Sequence, residues 1–372
     1  PRLPDSARGG PVPVPWPGDG EADGCDGTAV AYRLIAGGRG VGTLMLGRAG
    51  LPRMPDEVTG LIEDFVRRVA VAVAAARQYT QQATISRVLQ RALLPGRTAD
   101  IPGVAKALVY QPRGQGLAGG DFYDVFPGPE GTWCFTLGDV QGNGPEAAVV
   151  TGLVRPWLRL LAREGREVGE LLDRLNRLLL DDAVEAVEAA ARMAAASVAG
   201  AAGVPGMPGA PWVLEGSLVG GPVGGPVPEG PQSRFLSVLY GQLVPLPAEA
   251  GGGARCTLAC AGHPLPLVLR PDGSVRPAAG SQVLLGVVED VAYESETFLL
   301  ESGDTLLCVT DGVTERRSGR RMFDDGDGLA AALGRCKGLS AQGVAERIMR
   351  EVYDFSPVPP DDDVALLVLQ AL

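Results

Sequence analysis

From Val104 to its end the chain is written in short apolar runs broken by Gly, Pro, Asn and Asp, a pattern that points to antiparallel sheet. Strands are expected at Val104–Gln111, Gly120–Phe126, Thr132–Val140, Arg234–Val244, Arg255–Gly262, Leu265–Leu269, Ala292–Leu299, Asp304–Val309 and Val364–Leu369. Helical periodicity intervenes at Pro145–Arg163, Val168–Leu180, Gly328–Arg335 and Ser340–Tyr353. Most strands follow one another through short turns, and the helices fall in groups. That is an α+β arrangement rather than a βαβ series.

The first hundred residues read differently. Residues 1–24, rich in Pro, Gly and Asp, are expected to be disordered. Two strands, Thr28–Ile35 and Gly40–Leu46, are joined by the turn Ala36-Gly37-Gly38-Arg39. A long helix then starts at Asp56, with Val58, Ile62, Phe65, Val69, Val73 and Ala76 in one apolar stripe. After a polar interruption the pattern resumes at Ile85, Val88, Leu89 and Ala92, giving a connector helix over 81–99 that stops at Pro95-Gly96. The stripe serves either packing within its own domain or a dimer-forming connector. Residues 183–231 pass from Ala-rich to Gly/Pro-rich sequence and are expected to form a disordered, low-complexity insertion.

Charge and composition narrow the function. The 372 residues carry 33 Lys and Arg against 44 Asp and Glu, a net charge of -11, with no basic block to replace the counterions of a nucleic acid. No run reaches the ~18 uncharged apolar residues of a membrane span, and none reads as a signal peptide, so a cytoplasmic location is expected. The six cysteines show no CxxC spacing and no disulfide framework.

Four acidic spots share one grammar, an apolar strand ending in Asp beside Gly or a turn. They are Gly119-Gly120-Asp121-Phe122-Tyr123-Asp124, Gly138-Asp139-Val140-Gln141-Gly142-Asn143-Gly144, Thr310-Asp311-Gly312 and Asp361-Asp362-Asp363-Val364. Any one alone is ordinary turn chemistry. Carboxylates from four such spots meeting in one cavity would repel, each raising the others' pKa, unless hard divalent cations bind them; an all-oxygen set suits Mg²⁺ or Mn²⁺. Two such ions activate water and clamp a phosphoryl group during in-line displacement.

The ordered blocks GGDFYDVF, GDVQGNGPEAA, AGHPLPLVLRPDG, LLCVTDGVTE and DDDVALLVL resemble the stage II sporulation protein E class of metal-dependent (PPM-type) protein phosphatases. The resemblance covers roughly residues 85–372 apart from the insertion, and residues 100–372 would form the phosphatase domain. It implies a four-layer α-β-β-α sandwich, two antiparallel sheets flanked by helices. It also implies a two-ion Mn²⁺ or Mg²⁺ site. Asp139 would bridge both ions, Val140 would offer its carbonyl, Asp311 and Asp362 would complete the pair, and Asp121 would act directly or through water. Asp363 is the alternative to Asp362, since the triple aspartate leaves the register open by one. By the same resemblance, Asp139 and Asp311 would carry the catalytic roles. The implied substrate is a phosphorylated regulatory protein such as an anti-sigma factor antagonist. A catalytically silent scaffold and a hydrolase of small phosphoesters are the alternatives. Residues 25–80 look like the closing strands and last helix of a GAF-type sensor.

The sequence also departs from the pattern. Where eukaryotic relatives place a histidine after the bridging Asp, this chain has Gln141, which cannot protonate a leaving group. His263, the single histidine, is expected to be structural, and Arg113 is expected to be a loop residue with a possible reach to phosphate.

Overall fold

The computed structural model describes residues 12–14, 27–49, 56–112, 119–142, 145–201, 235–247, 249 and 251–372. The chain divides into two compact units, Pro1–Ile85 and Ser86–Leu372.

In the first unit, β1 (Val12–Val14), β2 (Gly27–Ala36) and β3 (Arg39–Ala49) form an antiparallel sheet in that order. Gly37 and Gly38, both at positive φ, supply the tight β2–β3 turn that right-twisted strands require. Helix α1 (Asp56–Leu93) packs Ile62, Val66, Val69 and Ala70 against Val30, Tyr32 and Leu34. Two expectations change here. Val12–Val14 pairs with β2, although it lies in the segment expected to be disordered; the rest of that segment lies outside the described residues. The helix is also continuous to Leu93, with no break at its polar stretch. Thr80 and Thr84 hydroxyls donate to the carbonyls four residues back, so those side chains bond to the helix rather than compete with it.

The second unit follows the alternation of its strands. β4 (Val104–Gln111), β5 (Asp121–Pro127) and β6 (Trp133–Val140) lead into α2 (Pro145–Arg163) and α3 (Val168–Ala201). Then come β7 (Leu236–Pro245), β8 (Ala254–Ala261), β9 (Leu267–Leu269), β10 (Val275–Pro277), β11 (Glu296–Leu300) and β12 (Thr305–Val309). A short helix α4 (Asp311–Thr314) precedes the ribbon β13 (Arg317–Ser318) and β14 (Arg321–Met322), followed by α5 (Gly328–Gly334), α6 (Ala341–Asp354) and β15 (Val364–Ala371). One sheet runs β10-β9-β12-β15-β4 and the other β11-β8-β7-β6-β5, with every neighbouring pair antiparallel.

Side chains two apart share a face, and the sequence uses both faces of each sheet. Phe135, Leu137, Leu239, Leu243 and Leu258 face inward against Leu306, Cys308, Leu367 and Leu369 of the opposite sheet. Their neighbours Phe122, Val140, Val238 and Tyr240 face outward, under Val154, Leu158, Leu171, Leu172 and Leu175 of α2 and α3. On the far side, Leu307, Val309, Leu366 and Val368 lie under Leu333, Val344, Ile348 and Val352 of α5 and α6. The result is the four-layer α-β-β-α sandwich.

Helix α3 overturns part of the expected insertion. It continues through residues 183–201, where Ala, Glu and Arg are strong helix formers and Arg192 reaches Glu188 one turn back. Residues 202–231 of that insertion lie outside the described residues.

Candidate metal centre

The inward row of β5, β6 and β7 ends in polar residues where the sandwich opens. Asp121 lies directly opposite Asp139, and Asp139 directly opposite Ser237, so three side chains stand in line on one face. Asp311 arrives from the other sheet, at the first residue of α4 just beyond β12. Carboxylate oxygens of Asp121, Asp139 and Asp311 all lie within 4.8 Å of one another. Aspartates 190 residues apart in sequence thus converge because two sheets end at the same place.

Two glycines make the approach possible. A Cβ on Gly120 would stand 2.1 Å from the Val140 carbonyl oxygen and 2.3 Å from Asp139 Oδ1, so a bare backbone lets those oxygens gather on one side of the cluster. A Cβ on Gly312 would stand 1.8 Å from the Asp363 carbonyl, which ties α4 closely to the start of β15.

The electrostatics are those of a cluster held together against its own charge. Burial, then the charges of Asp311, Asp362 and Asp363, push Asp139 up to about 8. Burial, then Asp362 and Glu315, push Asp311 up to about 6. Asp121, fully enclosed, is raised by burial and then by Asp139 and Asp363, while the Thr310 hydroxyl beside it acts in the opposite direction. Asp121 Oδ2 and Asp311 Oδ1 are sealed from solvent with no hydrogen-bond partner. Buried carboxylate oxygens without donors carry a large penalty, and a hard cation removes it. The donor set, all oxygen and clustered, fits Mg²⁺ or Mn²⁺.

The triple aspartate splits into different environments. Asp362 is exposed and lines a second cavity with Asp311, Glu315 and Asp361. Asp363 is buried, and its Oδ2 accepts a 2.8 Å hydrogen bond from the Tyr110 hydroxyl. The Asp363 amide in turn donates to Asp362 Oδ1. Both charges bear on Asp139, and Asp362 bears on Asp311 as well.

A cavity of about 390 Å³ opens beside the cluster, with Asp139, Gln141, Ser237, His263, Asp311 and Glu315 among its lining residues. Gln141 is exposed at its rim; His263 is buried in its wall. Arg113 lies outside the described residues. Sequence reasoning missed Tyr110, Ser237, Thr310 and Glu315. The Gly119-Gly120 pair was a visible sign of close backbone approach, but partners that meet only across strands leave no local pattern.

The chain matches the family described as Stage II sporulation protein E (SpoIIE) over residues 129–203 and 227–372, more than half its length. Asp139, Asp311 and Asp362 lie inside the matched stretches and Asp121 just ahead of them. Among solved structures it is similar to the RsbU and RsbW domains of Rv1364c from Mycobacterium tuberculosis. That match has 22% identity and a TM-score of 0.52, over 75% of this chain and 62% of that one. It is similar also to the SiaA-PP2C domain of Pseudomonas aeruginosa, with 17% identity and a TM-score of 0.55, over 80% of this chain and 98% of that one. At these identities the structures share a fold. The chain spans less than two thirds of the length of the Mycobacterium protein structure.

Proposed function

The chain belongs to the stage II sporulation protein E family of PP2C-type serine/threonine phosphatases, and we propose that it hydrolyses a phosphoseryl or phosphothreonyl regulatory protein, such as an anti-sigma factor antagonist. The observation that carries this reading is the convergence of Asp121, Asp139 and Asp311 within 4.8 Å, with two of their oxygens buried and unpartnered. Two Mn²⁺ or Mg²⁺ ions would be held by Asp121, Asp139, the Val140 carbonyl, Asp311 and Asp362. When bound, such ions supply Lewis-acid charge to the phosphoryl group and acidify water.

The chain's own residues set the rest of the site. Asp139, raised by burial and then by its neighbours' charges, is the centre of the cluster, and Asp311 faces it from the opposite sheet. Glu315, Thr314 and Gln141 form the polar rim along which a phosphorylated segment would lie, and Phe235, Pro264 and Leu284 supply apolar contact. Among the described residues no Lys or Arg lines this cavity. Gln141 has no proton to give, and burial holds His263 down at about 3, which keeps it neutral and unsuited to protonate a leaving oxygen.

Residues 25–80 would be the end of a GAF-like sensor, in keeping with the β2–β3 hairpin packed on α1. A homodimer would form through α1, which exposes Leu61, Phe65 and Tyr79. The location would be cytoplasmic, in keeping with the free, buried Cys134, Cys256, Cys260, Cys308 and Cys336; no described helix is long and apolar enough to cross a membrane.

The test is phosphate release from a phosphoseryl protein and from a small aryl phosphate, each with chelator and with Mn²⁺. Mn²⁺-dependent turnover, higher on the phosphoprotein, is expected. Turnover of the aryl phosphate alone would indicate a small-phosphoester hydrolase, and none on either substrate a silent scaffold.

A further inference from the structure

His263 is expected from the sequence to be merely structural, yet it bonds to one carboxylate-bearing sheet and faces the other. Its Nδ1 lies 2.9 Å from the hydroxyl of Ser237. Ser237 is the β7 residue directly opposite Asp139 on β6, so the two side chains rise side by side from one face. The other ring nitrogen, Nε2, is sealed from solvent and makes no hydrogen bond of good geometry. The polar group that bears on the ring from the opposite sheet is the Val309 backbone, two residues before Asp311. The imidazole is 4% exposed and sits in the wall of the cavity it shares with Asp139 and Asp311.

The turn that delivers the ring is built for this place. Gly262 adopts φ +62°, and a Cβ there would stand 2.2 Å from Leu284 Cδ2, so the residue before the histidine must be glycine. The Cys260 thiol meets the His263 carbonyl at 3.0 Å and fixes the far side of the turn. Burial keeps the ring neutral. A neutral ring with its proton on Nε2 accepts from Ser237 at Nδ1 and turns its N–H toward Val309.

We infer that His263, through Ser237, is a positioning residue that sets the separation between Asp139 on one sheet and Asp311 on the other, and thereby the affinity of the carboxylate cluster for divalent cations. The inference rests on the reading of that cluster as a metal site. The Ser237 hydroxyl holds the β7 neighbour of Asp139, while the ring's other edge abuts the strand end that carries Asp311. Removing either member lets the two sheet ends relax apart under carboxylate repulsion. Groups that orient ligands without touching the metal characteristically change affinity about 10–100-fold.

The experiment is calorimetric titration of Mn²⁺ into the chelator-stripped full chain. It compares wild type with Ser237→Ala, His263→Phe, the double variant and Ser237→Thr. Each of the first two should weaken Mn²⁺ binding about tenfold. The double variant should be little worse than either single, since both remove one link, and Ser237→Thr should restore binding to within about twofold. The metal-free melting temperature of Ser237→Ala should stay near that of wild type. A merely structural role would lower melting temperatures and leave the affinity of the folded protein unchanged. Affinities within about twofold of wild type for both singles, or losses that multiply in the double variant, overturn the inference. If His263→Phe does not fold, Ser237→Ala and its threonine counterpart decide the matter. A wild-type protein that takes up no Mn²⁺ overturns the metal site itself; one that binds Mn²⁺ as tightly as Ser237→Ala overturns this inference alone.

Discussion

Asp139 stands where most of the site's physics meets, flanked across the sheet by Asp121 and Ser237 and faced by Asp311. Its raised pKa carries a sign that stability measurements can read. Asp139 and Asp311 titrate higher in the folded protein, about 8 and about 6, than in the unfolded chain, where aspartate titrates near 3.8. The folded state therefore holds more protons across that interval, and the metal-free protein loses stability as pH rises from about 4 through about 8. The contribution is fully present below the unfolded value and gone above the folded one. Melting curves with chelator at pH 5 and pH 8 should show the lower midpoint at pH 8. Added Mn²⁺ should raise it, by about 2.7 kcal/mol of stability at a hundredfold excess over its dissociation constant. A chelated protein that melts higher at pH 8 would contradict this account of the cluster. At this scale the aspartates were legible because each sits at a strand end beside glycine. The division of labour between Asp362 and Asp363 was not, because it depends on which one meets Tyr110. Ser237 gave no signal either, since its place beside Asp139 is a property of register.

Among the elements, α2 is pinned to β5 by one buried carboxylate. Asp124, fully enclosed, accepts from Arg155 Nε at 2.9 Å and from Arg159 Nε and Nη2 at 2.7 and 2.8 Å. It lies on the helix side of the strand whose other face presents Asp121, and the Thr151 hydroxyl on α2 lies 3.4 Å from the Gly120 carbonyl. Asp124→Asn leaves two guanidinium groups short of their counter-charge. It should cost about 3 kcal/mol in urea unfolding, the low end for a broken buried pair because both arginines can turn toward solvent. A cost under about 1 kcal/mol would show that apolar packing alone docks α2. The strand pattern was legible because alternation and turn residues act locally. The reach of α3 to Ala201 was not, because alanine-rich sequence fits both a low-complexity reading and a helix. The family match skips residues 204–226. Replacing them with a short Gly/Ser linker should leave the melting transition and Mn²⁺-dependent turnover intact. Loss of the cooperative transition would show that the segment is structural.

At the scale of the whole molecule, two units are joined through a single helix, α1, whose last turns belong to the second. Leu61 and Phe65 are 75% and 57% exposed, one turn apart on the same face, which is unusual for a helix that buries a different stripe on its own sheet. The proposed homodimer predicts that Phe65→Glu halves the mass seen by light scattering while leaving the aryl phosphatase rate unchanged. A wild-type chain that is monomeric at tens of micromolar would sink that proposal without touching the site. An α+β arrangement was legible from the order of strands and helices, and the family resemblance implied both the four-layer sandwich and the shared carboxylate site. Which strand neighbours stand beside each carboxylate depends on register and was not legible. The most direct test of that cluster's role is the initial rate of phosphate release from a phosphoseryl protein, as Mn²⁺ is titrated into chelator-stripped wild type and Asp139→Asn. The account predicts a rate that saturates with Mn²⁺ in wild type and stays at least about a hundredfold lower in the variant, a loss of about 2.7 kcal/mol in barrier terms. A wild-type rate indifferent to Mn²⁺, or a folded variant that keeps more than about a tenth of the wild-type rate, would contradict it.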